Sequence, residues 1–172
     1  MMVRWVAVAL FASLTPISLW AQGAASITAT GEVSDLALTT LDVQDLGFGD
    51  VTPGLSTVVD PQASLNAGKF EIRGVRGAEV AVDFTLPAAL TVGAFSMAVG
   101  FGGSDGCFHT KDQQNKCTYF DPSATLVTDL GRKPFPENWL IIWLGGTASP
   151  TVTQFPGIYR GTVALTVAYT GN

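Results

Sequence analysis

Two cysteines, Cys107 and Cys117, carry the clearest chemistry in the chain and lie ten positions apart. In an exported protein, two cysteines at this separation are most simply a disulfide. The loop between them carries the chain's one histidine, His109, so the alternative is a metal site formed by Cys107, His109 and Cys117, with Asp105 or Asp112 as a further ligand. That site needs an added ligand, and an oxidising compartment opposes free thiols. We therefore predict a Cys107–Cys117 disulfide and an exposed His109 without a catalytic role.

The other polar residues give little support for catalysis. One histidine beside the cysteines leaves no Ser-His-Asp arrangement, and the chain lacks the HExxH, phosphate-binding and dinucleotide-binding motifs. Asp42, Asp45 and Asp50 are close in sequence and could supply oxygen ligands to calcium. Solvated acids at the end of a strand are the more common case, so calcium binding stays open. We predict no enzyme activity, no metal and no cofactor.

Trp139 and Trp143 form an alternative ligand site because both fall on one predicted strand. On a strand they share a face with Ile141 and lie about 13 Å apart, and an exposed pair of indoles could stack on sugar rings. The opposite face of the same strand is also apolar and carries Leu140, Ile142 and Leu144. A strand buried on both faces is therefore the first interpretation, and a carbohydrate platform is the alternative.

The N-terminus and the composition are typical of an exported β protein. Arg4, an apolar stretch over residues 6–14 and small residues at 21–25 predict a signal peptide over residues 1–25, cleaved between 21 and 25. Residues 26–172 then form a single domain, and no later segment reaches the ~18 unbroken apolar residues of a membrane span. Nine basic and fourteen acidic residues, without a basic cluster, argue against a nucleic-acid partner. We expect the protein in the periplasm, at the cell surface or outside the cell.

Strand patterns run along almost the whole mature chain. Val80, Val82 and Phe84 alternate with more polar residues, as do Phe70 and Ile72, and turn signals such as Pro53-Gly54 and Gly102-Gly103 separate the short strands. This spacing predicts an all-β, antiparallel, immunoglobulin-like β-sandwich.

The C-terminal segment predicts that this sandwich lacks its last strand. Residues 157–169 alternate strictly, and one face carries an acceptor set of five residues: Tyr159, Val163, Leu165, Val167 and Tyr169. A Tyr behind Gly157 resembles the tyrosine corner of immunoglobulin-like sandwiches, which precedes the next-to-last strand. Because the sequence ends three residues after Tyr169, we expect an open acceptor edge there.

A spare strand pattern lies near the mature N-terminus. Residues 26–33 carry alternating small or apolar side chains, Ile27, Ala29, Gly31 and Val33, and are distinct from the alternation over residues 36–43. We expect Ser26 to Val33 to act as a donor strand for another copy. The alternative is that the segment folds back and completes its own domain.

Several short motifs resemble those of known exported proteins. Leu46-Gly47-Phe48-Gly49, the later Phe70-Glu71-Ile72-Arg73-Gly74 and the ending Gly157-Ile158-Tyr159-Arg160-Gly161-Thr162 resemble a family of exported bacterial domains of unknown function. The ending is also similar to that of spore-coat-U-type pilins, the subunits of archaic chaperone–usher pili. The resemblance implies a secreted, surface-associated, immunoglobulin-like sandwich whose partners are other copies or related subunits, a periplasmic chaperone and an usher.

These observations lead to one expected function and one alternative. The first is a secreted structural or adhesive cell-surface subunit, pilin-like, that assembles by donor-strand exchange. The alternative is a monomeric secreted module that binds a carbohydrate or protein ligand through an exposed Trp139 and Trp143.

Overall fold

The structure is a computed structural model that describes residues 37–132 and 139–171. These residues belong to one compact unit, Asp35–Asn172. The predicted signal peptide and the candidate donor strand, Ser26 to Val33, lie outside the described residues. In the part of the chain that is described, no helix has the length and apolar character needed to cross a membrane.

The described residues form antiparallel strands and one short 3-10 helix, Gln114–Lys116. The strands, in chain order, are β1 (Thr39–Gln44), β2 (Thr57–Val59), β3 (Gly68–Arg73), β4 (Glu79–Thr85), β5 (Ala89–Val92), β6 (Phe95–Gly100), β7 (Gly106–His109), β8 (Thr118–Phe120), β9 (Leu126–Asp129), β10 (Trp139–Leu144), β11 (Gly146–Ser149) and β12 (Ala164–Tyr169). They make a five-stranded sheet in the order β1-β3-β10-β7-β8, a four-stranded sheet in the order β2-β11-β6-β5 and a three-stranded sheet in the order β12-β4-β9. The predicted all-β antiparallel sandwich is confirmed.

Strand β10 is the centre of the packing because both of its faces are buried. Leu140 and Ile142 belong to a cluster with Ile72 of β3 and with β4, and each of these three side chains is fully buried. Ile141 and Trp143, on the other face, pack in a second cluster with the two cysteines. Each fully buried side chain of this size contributes about 1.5–3 kcal/mol. The predicted strand with two buried faces is therefore present.

The C-terminal strand is shorter than predicted. Only Ala164–Tyr169 forms β12, which pairs with β4, whereas Arg160 makes an isolated antiparallel bridge with Thr91 of β5. The segment therefore leaves the four-stranded sheet before it joins the three-stranded one, and a continuous strand cannot do both. Within β12 the predicted alternation holds, because Leu165 and Val167 are half-buried and their neighbours are exposed.

Candidate functional site

An open groove lies where one edge strand, β1, ends and another, β12, is about to begin. β1 is the last strand of the five-stranded sheet and β12 the last strand of the three-stranded sheet. Within residues 37–132 and 139–171, no strand pairs with the outer edge of either one. Leu38, just before β1, and Tyr169, at the end of β12, both lie against Gly74, while the far end of β1 lines the groove together with Val163, just before β12. The two edge strands therefore run in opposite directions.

The groove has a volume of about 1230 Å³ and an apolar floor. Its floor is built from strands of two sheets and includes Phe70, Leu90, Met97, Val99 and Leu144. Residues 45–51 form one wall, and residues 154–163 form the other. A groove with exposed strand edges above an apolar floor is suited to an extended peptide, whose backbone pairs with the edges and whose alternate side chains point inward.

Tyr159 fixes the wall formed by residues 154–163. Its hydroxyl donates to the Phe155 carbonyl oxygen at 2.8 Å and accepts from the Gln154 side-chain amide at 2.6 Å. The same amide donates to the Ser96 carbonyl oxygen at 2.9 Å, which attaches the wall to β6. A tyrosine hydroxyl bonded to backbone a few residues upstream is the geometry of a tyrosine corner.

The five predicted acceptor residues occupy three environments. Tyr159 and Val163 line the groove, whereas Leu165 and Val167 pack against the cluster around β10. Tyr169 lies at the far end of β12, where its hydroxyl accepts from the Val75 backbone amide at 2.7 Å. The structure thus places the first two in the groove and the other three on β12, the strand that follows the groove wall.

The predicted disulfide between Cys107 and Cys117 is confirmed, with Cα atoms 5.5 Å apart. Because both sulfurs are bonded to each other, the alternative metal site is wrong. The Gln62 side-chain amide donates to the Cys117 carbonyl oxygen at 3.1 Å, so the disulfide loop is attached to the segment that follows β2. His109 is half-buried rather than exposed, and its Nδ1 accepts from the Lys111 backbone amide at 2.8 Å.

The two tryptophans, Trp139 and Trp143, do not form an exposed pair, so the alternative prediction of a ligand platform made by two exposed indoles is wrong. Trp143 is only 3% exposed, and the Lys69 ammonium lies 5.8 Å from its ring centre. A salt bridge of 2.8 Å to Asp112 of the disulfide loop holds Lys69 there. Trp139 is half-buried under the Arg73 guanidinium, which lies 5.4 Å from its ring. Both indoles serve packing because the disulfide cluster occupies their face of the sheet.

The three acids of the possible calcium site, Asp42, Asp45 and Asp50, all line the groove. In the described part of the chain, no group of three or more His, Cys, Asp or Glu side chains is placed to hold a metal ion. The acids therefore give one groove wall a negative charge, and Arg160 stands on the opposite wall.

Two groups with shifted pKa values lie near β8, outside the residues that line the groove. Partial desolvation raises the pKa of Tyr119, and the neighbouring Asp60 carboxylate raises it further. Hydrogen bonds from the Ser123 hydroxyl at 2.6 Å and the Ser123 backbone amide at 2.8 Å lower the pKa of Asp121. These shifts accompany local turns and add no acid–base pair to the groove.

The sequence reasoning missed an exposed aromatic pair beside the groove. The rings of Phe95 and Phe155 are stacked, with centres 4.1 Å apart and planes within 4° of parallel. No local pattern joins two residues so distant in sequence. The sequence feature that could have pointed to this pair is that residues 86–104 and 139–159, which carry the two rings, contain no charged residue.

Comparison with known proteins finds no matching family model, no similar curated protein and no similar solved structure.

Proposed function

We propose that the protein is an exported structural or adhesive subunit of the cell surface, pilin-like, whose copies join by donor-strand exchange. The observation that carries this proposal is the open groove next to the unpaired edges of β1 and β12, within the described residues. An edge strand presents a row of backbone N–H and C=O groups that another strand can pair with. Here the groove reaches the end of β1 and Val163, the residue before β12, so a strand that enters the groove and continues along both edges would pair on both sides and complete the sandwich in the immunoglobulin-like manner.

The proposed donor is Ser26 to Val33 of another copy. Its inward set would be Ile27, Ala29, Gly31 and Val33, and its outward set is polar. Eight residues in extended form span roughly 26 Å, a length suited to lying along an edge strand of six residues and the wall that precedes it. Other copies or related subunits would supply the donor, and a periplasmic chaperone and an usher would protect the open groove until assembly.

A peptide-binding experiment tests the proposal. A chain that starts at Ser34 is mixed with a labelled peptide of residues 26–33, and binding is followed by fluorescence anisotropy. We expect the truncated chain to bind this peptide and to lose self-assembly. The control peptide carries Asp in place of Ile27 and Val33, which removes its apolar ends and should abolish binding. A mature chain that stays monomeric at high concentration, with N-terminal amides strongly protected from exchange, contradicts the proposal.

A substitution in the groove wall supplies a second test. Val163→Arg places a long charged side chain in the groove, and we expect it to weaken peptide binding by at least about tenfold. Thr166→Arg, on the exposed face of β12, is the matched control and should bind normally. Equal affinity for the two variants would show that the peptide binds elsewhere.

A further inference from the structure

Five exposed apolar residues form a patch at one end of the groove, which we call the end patch: Leu55, Phe95, Val152, Phe155 and Ile158. Phe155 and Ile158 also line the groove, so the patch is continuous with it. The segments that carry the patch are tied together. Phe95 stacks on Phe155, and the Gly54 backbone amide donates to the Thr151 carbonyl oxygen at 3.1 Å. Val152 and Ile158 are 81% and 73% exposed, which is unusual for apolar side chains grouped together.

The sequence segments that carry the end patch contain no formally charged residue. Residues 51–59, 86–104 and 139–159 contain no Asp, Glu, Lys or Arg, and they include all of β2, β5, β6 and β11. The region near the other end of the groove is different, because Arg132 and Asp129 form an exposed ion pair close to Gly77. A group of exposed apolar side chains marks a surface that another molecule covers.

We propose that the end patch is the surface on which the folded body of the next copy rests once its donor strand is in the groove. This inference rests on the proposed strand exchange. Only residues 34–36 separate Val33 from Ala37, the first described residue of the domain, and four residue steps reach at most about 14 Å. The body of the donor copy must therefore touch the acceptor close to the point where Val33 leaves the groove.

The direction of the donor strand decides which end of the groove that is. β12 runs from the wall formed by residues 154–163 toward Tyr169. Because β1 and β12 run in opposite directions, a donor between them is antiparallel to one and parallel to the other in either direction, so the ladders do not decide. A donor antiparallel to β12 brings Val33 to the end patch, and the exposed apolar surface there favours this direction. A segment that folds back into its own groove must keep Val33 near Thr39, at the Tyr169 end, and then runs parallel to β12. The end patch is therefore covered in exchange and stays exposed in a closed monomer.

The experiment uses the full mature chain and two variants. Leu55 and Val152 belong to the end patch, do not line the groove and, unlike Phe95, have no ring that stacks on a residue that does, so Leu55→Ser with Val152→Ser removes contact area without touching the strand-binding surface. Leu65→Ser is the matched control, since Leu65 is 88% exposed on a different loop. Self-association is measured by sedimentation velocity, and binding of the labelled 26–33 peptide is measured on the same proteins at dilutions where each is monomeric.

We expect the double variant to associate at least about tenfold more weakly than the wild type, and the peptide to bind both equally well. Equal association of the double variant and the wild type overturns the end-patch contact while leaving strand exchange intact. If the wild type neither binds the peptide nor associates with itself, the proposed function itself is overturned. If circular dichroism shows that the double variant is unfolded, Val152→Ser alone replaces it, because that side chain is almost fully solvated, and a normal association constant then overturns the inference.

Discussion

Removal of the Tyr159 hydroxyl is the most direct test of how the groove wall is held. Tyr159→Phe keeps the ring and deletes one oxygen, which donates to the Phe155 carbonyl and accepts from the Gln154 amide. The Gln154 amide keeps its bond to the Ser96 carbonyl oxygen, so the variant leaves that group partly satisfied. The change therefore isolates two hydrogen bonds and very little packing.

The expected loss follows from those two bonds. A net contribution of about 0.5–1.5 kcal/mol for each hydrogen bond gives about 1–3 kcal/mol for the pair. The lower half of this range applies, because water can reach the exposed Phe155 carbonyl and one bond to the amide remains. We therefore expect the free energy of unfolding to fall by about 1–2 kcal/mol. With a urea dependence of about 2 kcal/mol per molar, the unfolding midpoint falls by about 0.5–1 M.

Urea unfolding followed by tryptophan fluorescence measures this change, because Trp143 reports on the buried cluster. Tyr119→Phe is the matched control, since the Tyr119 hydroxyl makes only long, exposed contacts of 3.3 Å to Asp60 and 3.2 Å to Gln62. We expect the control to change stability by less than about 0.5 kcal/mol. A Tyr159→Phe midpoint equal to that of Tyr119→Phe would refute the assignment of Tyr159 as the residue that holds the wall.

Three further predictions concern other parts of the domain. Replacing Cys107 and Cys117 together by alanine should lower the free energy of unfolding by about 2.7 kcal/mol, the loop-closure entropy of a ten-residue loop, as measured by the same urea assay. Gly145→Ala should cost about 3 kcal/mol or more, because a β-carbon there collides with the carbonyl oxygen at the end of β2. Ser123→Ala should raise the lowered pKa of Asp121 toward its ordinary value in an NMR titration. The stabilisation linked to the Asp121 carboxylate is present above the ordinary value of 3.8 and is lost as the pH falls through the lower folded-state pKa.

Each of these three has its own control and contrary outcome. Gly100→Ala is the matched control for Gly145→Ala, since an added β-carbon at Gly100 meets no atom within 4 Å, and equal losses for the two would contradict the steric argument. The wild-type chain can also be reduced while unfolded and then refolded. An unchanged urea midpoint for this reduced protein would contradict the entropic stabilisation assigned to the disulfide. If the pKa of Asp121 does not change in Ser123→Ala, the lowering of that pKa must come from another neighbour.

The features that could be predicted correctly are those that depend on residues close together in the sequence. The disulfide and the doubly buried β10 each follow from a short pattern, and each is present. The partners of the strands could not be predicted, because β10 pairs with β3 and β7, which lie far away in sequence. The exposed state of Leu41, at 48%, likewise follows from the position of β1 at the edge of its sheet rather than from its alternation.

The sequence predicted that the sandwich lacks a strand but did not predict the groove walls. These walls depend on contacts between segments that are far apart in the sequence. Strict alternation over residues 157–169 indicated one strand, but the pairing of Arg160 with Thr91 divides that segment between two sheets. The division turns residues 154–163 into a wall. The end patch was missed for the same reason, since it combines three segments whose residues meet only in the folded sheets.

The burial of the disulfide has a consequence for the time at which its oxidation state is set. The Cys107 side chain is fully buried and faces Trp143 across the strand pair, while Cys117 is 6% exposed. Thiol exchange requires a thiolate to reach one of the two sulfurs, and the folded cluster blocks that approach. An oxidant therefore acts on the nascent, open chain, and a reductant added later finds a bond that opens only as fast as the domain unfolds. The oxidation state of Cys107 and Cys117 is therefore set while the chain folds, and it persists afterwards because exchange in the folded protein is slow.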